Sequence, residues 1–65
     1  MRFFVGQAYE RGEDGREASV VRVRNEGQEG LLRFTDTGTE DWFFYRAGEW
    51  RLTAWPHPRP PTESG

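Results

Sequence analysis

The sequence contains no cysteine and no lysine, and a single histidine. Without cysteine there is no disulfide framework, no thiolate metal site and no thiol nucleophile. The lone histidine, His57, lies between two prolines, so no zinc-ligand set forms around it. The loops lack calcium-binding spacing. The glycines match no phosphate-binding loop, since GEDGR is short and no helix follows it. No apolar run approaches the roughly 20 residues of a membrane span. The opening MRFFVGQAYERG holds too short an apolar stretch for a signal peptide. No window reads as a helix, because glycines interrupt each one that is long enough. The expectation is a soluble cytoplasmic protein without metal or cofactor.

Catalysis also lacks its usual players. Ser19 and Ser64 have no base near them in the sequence. Asp36, Glu40 and Asp41 cluster at one hairpin, but turn carboxylates are usually solvated. Acid–base and nucleophilic chemistry both need a positioned partner group that this chain does not supply. The reading is a non-enzymatic protein.

What is present is a small chain rich in rings and guanidiniums. At 65 residues there is one domain at most, and a domain of that size buries little surface. Three Trp, five Phe and two Tyr must supply the core, or a partner must help. The net charge of −2 argues for neither a bulk nucleic-acid binder nor an acidic tail. All nine basic residues are arginine, the cation that stacks on rings and grips carboxylate or phosphate in a fork.

The pattern predicts an all-β domain over residues 1–55, a five-stranded antiparallel meander forming a strongly curled sheet or small barrel. Strands are expected at residues 2–9, 17–24, 31–35, 41–46 and 49–55, separated by glycine-bearing turns. Gly6 suggests a bulge or bend in the first strand. Residues 56–65, PHPRPPTESG, read as an extended proline-rich tail with a frayed end, its prolines either a ligand for another protein's aromatic groove or folded back on Trp50 or Trp55. Tight turns at Thr37 and Gly38 and at Ala47 and Gly48, with longer loops at residues 10–16 and 26–29, give one consistent inner face. It comprises Phe3, Val5, Tyr9, Val21, Val23, Leu32, Phe34, Phe43, Tyr45, Trp50, Leu52 and Ala54.

The opposite face is expected to carry Arg2, Phe4, Val20, Arg22, Arg24, Leu31, Arg33, Trp42, Phe44, Arg46, Arg51 and Trp55, with the carboxylates set apart in the turns. This register places Arg22 across from Arg33, a like-charge pair that destabilises a sheet unless compensated. The partner-binding candidates are Phe4, Arg22, Arg24, Arg33, Trp42, Phe44, Arg51 and Trp55. Three readings fit them. One is purely structural, with Arg33 lying on Trp42 and Arg51 on Phe44. The second is a protein interface, including a homodimer, because Trp, Phe and Arg are the types enriched where binding energy concentrates. The third is single-stranded nucleic acid, with bases stacked on the rings and phosphates along the arginines. Overall acidity weighs against that third reading.

The segment FTDTGTEDWF, residues 34–43, resembles the central hairpin of Tudor-like and Src-homology-3-like small barrels. The resemblance covers the last three strands and implies a module that binds peptides, modified side chains or nucleic acid through an aromatic surface. One departure stands out. Those barrels place a helical turn before the last strand, so that it pairs antiparallel with the first. A two-residue turn at Ala47 and Gly48 instead leaves the first and last strands parallel.

Overall fold

A computed structural model describes residues 1–55. The tail, residues 56–65, and the expectations placed on it lie outside the described residues, as do His57 and Ser64.

The chain forms five strands: β1 (Ala8–Arg11), β2 (Glu17–Arg24), β3 (Glu29–Phe34), β4 (Glu40–Phe44) and β5 (Trp50–Ala54). A three-residue 3-10 turn, Asn25–Gly27, joins β2 to β3. All five strands lie in one sheet, in the order β4-β3-β2-β1-β5, and every neighbouring pair is antiparallel. The all-β reading therefore holds, while the meander stops at β4. The expected hairpin through Ala47 and Gly48 is absent. β5 crosses to the other edge and pairs with β1, Tyr9 opposite Leu52 and Glu10 opposite Arg51. Residues 45–49 make a wider turn, with the Glu49 N–H donating to the Arg46 carbonyl and Gly48 at a positive φ of 86°.

The N-terminal segment departs from expectation in the same region. Residues 2–7 do not extend β1. Gly6, at φ 96°, bends the chain and leaves Val5 57% exposed. Phe3 turns inward instead, its N–H bonded to the Gly27 carbonyl. Its ring lies over Gly30, where an added Cβ would fall 2.6 Å from a ring carbon. Glycine at position 30 is what lets Phe3 seat in the sheet.

Phe3, Tyr9, Ala18, Val20, Leu32, Phe34 and Trp50 form the core, with Phe43 and Tyr45 packed against it. The rings meet edge to face: Phe3 with Tyr45 at 5.1 Å, Phe43 with Trp50 at 5.2 Å and Phe34 with Phe43 at 5.8 Å. Such pairs each add about 0.5–1.5 kcal/mol beyond the area they bury. Gln7 is the one buried polar side chain among the described residues. Its Oε1 accepts from the Phe4 N–H at 2.7 Å and from the Tyr9 hydroxyl at 2.8 Å, tying the N-terminal segment to β1.

Five residues expected inside are not core. Val5, Val23, Leu52 and Ala54 are exposed, and Val21 is half-buried. Val20, expected outside, is 2% exposed. A bulge in β2 is the reason, since Val20 pairs with Leu32 but Arg22 pairs with Leu31. The extra residue lets even-numbered Ala18 and Val20 point inward while even-numbered Arg22 and Arg24 point outward.

Candidate functional site

The eight candidate residues divide between two surfaces. Arg22, Arg24, Arg33, Trp42 and Phe44 meet on the outer face of β2, β3 and β4. Phe4, Arg51 and Trp55 lie at the opposite edge of the sheet, beside β5.

On the outer face the cross-strand rows are Arg22–Leu31–Trp42, Arg24–Glu29–Phe44 and Ser19–Arg33–Glu40. The feared Arg22–Arg33 opposition does not occur, because the β2–β3 register sets Arg22 across from Leu31 and Arg33 across from Ser19. Nor do the carboxylates stand apart. Arg24 Nε is 2.7 Å from Glu29, and Arg33 is 2.6 Å from Glu40. The Arg24 guanidinium lies 4.0 Å above the Trp42 ring, in place of the expected Arg33. Phe44 remains 60% exposed with no arginine of the described residues over it, since Arg51 is on β5 and pairs with Glu10. Exposed pairs of this kind contribute about 0–1 kcal/mol each, but they satisfy the cations they involve.

The turns at one end of the sheet are held similarly. Asp14 accepts from Arg11 at 2.9 Å, and Asp36 accepts from Arg16 at 3.0 Å. These arginine hydrogen bonds hold both carboxyls below the ordinary aspartate range. Asp41 accepts from the Trp42 N–H at 3.1 Å, so each carboxylate of the Asp36, Glu40 and Asp41 cluster already has a partner. Among the described residues, no three of His, Cys, Asp or Glu are grouped to hold a metal ion. Among the same residues, no helix is long and apolar enough to cross a membrane.

The second surface is concave. Phe4 and Trp55 stack at 5.2 Å with 27° between their planes, and the Arg2 guanidinium lies 4.6 Å from the Phe4 ring. Together with Met1, Gln7, Tyr9, Tyr45, Trp50, Arg51 and Leu52 they line an open groove of about 670 Å³. Leu52 and Trp55 are 46% and 51% exposed. Tyr9 forms part of the wall. Its hydroxyl is raised above the ordinary tyrosine value, first by burial and then by Tyr45, with the Gln7 hydrogen bond opposing. Trp50 is 5% exposed, and its Nε1–H is buried without an acceptor among the described residues. Buried polar groups are normally paired, so an orphaned donor calls for an explanation.

Sequence reasoning found three of the groove residues as binding candidates and missed the rest. The sequence pattern places Tyr9, Tyr45, Trp50 and Leu52 on the inner face and Arg2 on the outer one. Gln7 carried a signal, as a lone amide among RFF, V and Y in a segment meant to be apolar. No family model, curated protein or solved structure matches the chain.

Proposed function

We propose that the chain is a small non-enzymatic interaction module, soluble and cytoplasmic, that binds a protein partner through the groove beside β5. The supporting observation is the open, ring-lined groove itself, where Phe4, Leu52 and Trp55 stay exposed. A cleft lined mostly by rings, with few polar groups, is the usual form of a binding site. Phe4, Arg51 and Trp55 carry the contact, together with Leu52. The antiparallel pairing of β5 with β1 supports a curled, small-barrel reading of the sheet and the likeness to Tudor-like and Src-homology-3-like domains. A homodimer built through the same surface is the form of this reading in which the partner is a second copy.

Single-stranded nucleic acid on the outer face is the second reading. The gathering of Arg22, Arg24, Arg33, Trp42 and Phe44 favours it, whereas the Glu29 and Glu40 ion pairs oppose it.

Affinity capture with the full chain distinguishes the two. A protein retained by the wild type and by Trp42→Ala, but lost with Trp55→Ala, supports the groove. Retention of single-stranded oligonucleotide that weakens with salt and with Arg22→Ala supports the outer face instead. If neither Trp55→Ala nor Trp42→Ala alters any association, both readings fail.

A further inference from the structure

We infer that the groove takes an extended acidic peptide of the partner, seating one apolar side chain among Tyr9, Tyr45 and Trp50 and setting a carboxylate beside Arg2. This rests on the protein-binding reading above and specifies the chemistry of the partner.

The first argument is the inventory of donors and acceptors. The Arg2 guanidinium only donates. The acceptor at the groove floor, Gln7 Oε1, is already engaged by the Phe4 N–H and the Tyr9 hydroxyl. The occupant must therefore bring oxygen, as a peptide carbonyl or a carboxylate.

Charge points the same way. Among the described residues no carboxylate lines the groove, while Arg2 and Arg51 both do. Arg51 is paired with Glu10, and Arg2 bonds only the Glu26 carbonyl, with no carboxylate partner among the described residues. Aromatic walls alone suit a cation, but the uncompensated Arg2 guanidinium opposes one. An anionic segment gains from it.

The extended form follows from the strand. Side chains alternate along a strand, yet consecutive Trp50, Arg51 and Leu52 all line the groove. Residues from both faces of β5 therefore reach the groove, and β5 is the last strand in the sheet order. An edge strand with unpaired backbone groups accepts an added peptide strand.

The test uses the full chain and capped heptapeptides with a central leucine flanked by glutamates, beside versions flanked by lysines or carrying a central serine. Binding is read from tryptophan fluorescence and the indole N–H resonances of Trp50 and Trp55. The glutamate–leucine peptide is expected to bind and to shift the Trp50 indole signal. Arg2→Glu and Leu52→Asp, both at exposed positions, should each weaken it by about tenfold, as for loss of one well-placed contact. The lysine-flanked peptide should gain affinity for Arg2→Glu. Preference of the wild type for lysine flanks, or indifference to the central residue, overturns the inference. So does a Trp50 indole shift caused by single-stranded oligonucleotide or by self-association alone. A random peptide library separates the two levels. Selection of non-acidic peptides dependent on Trp55 removes this inference and leaves the module reading standing, whereas selection of none removes both.

Discussion

The outer face of β2 to β4 and the groove beside β5 are built from the same residue types, yet they end in different electrostatic states. On the outer face a glutamate stands directly across from each of Arg24 and Arg33, and Arg24 also covers Trp42. At the groove the rings stack on one another, and among the described residues Arg2 lacks a carboxylate and the buried Trp50 N–H lacks an acceptor. The comparison teaches that ring and guanidinium content does not fix how a surface is electrostatically satisfied. What fixes it is which groups stand across from one another, and that depends on register.

The largest effect should come from the groove floor. Gln7→Leu strands the Phe4 N–H and the Tyr9 hydroxyl, and each donor left buried costs about 1–3 kcal/mol. Urea unfolding measures this, and a neutral result means the groove floor is not held by that amide. Gly30→Ala forces a methyl against the Phe3 ring and should cost about 1–3 kcal/mol by the same measurement. On the outer face the effects should be smaller. Arg24→Ala removes a ring cover and an ion pair, for a loss of about 0.5–1 kcal/mol. A double-mutant cycle on Arg33 and Glu40 should return about 0.2–1 kcal/mol of coupling. Coupling well above that would mean the outer face is more rigid than an exposed pair allows. Acid sensitivity should be smallest. Asp14 and Asp36 have depressed carboxyls in the folded chain. Their contribution is therefore present above the unfolded value of about 3.9 and fades as pH falls through the folded value. Asp14→Asn with Asp36→Asn should flatten the fall in melting temperature below about pH 4.

The alternation of β3 and β4 was legible in the sequence. Leu32, Phe34 and Phe43 point inward while Trp42 and Phe44 point outward, as a period of two requires. β2 was not legible in this way, because a bulge reverses faces within one strand without a glycine or proline to announce it. β5 was misplaced because the shortest connection to β4 was assumed to be a hairpin. Only the packing of Trp50 and Leu52 beside Tyr9 reveals the crossing, and no local propensity encodes a contact between residues 41 positions apart. Placing β5 beside β4 conceals the groove, since it counts Trp50 and Leu52 only as inner-face residues. The ion pairs were missed for a related reason: Glu10, Glu29 and Glu40 read as turn residues but belong to strands.

The crossing of β5 onto β1 also sets an order of events during folding. The three consecutive hairpins from β1 to β4 bring together neighbours in the chain, whereas β5 must recruit a strand from far upstream, a slower search. The groove is accordingly the last surface to be assembled. A segment that docks there favours the completed chain over one in which β5 has peeled away. Recognition would then double as a latch, and the partner's concentration would tune how long the whole sheet survives.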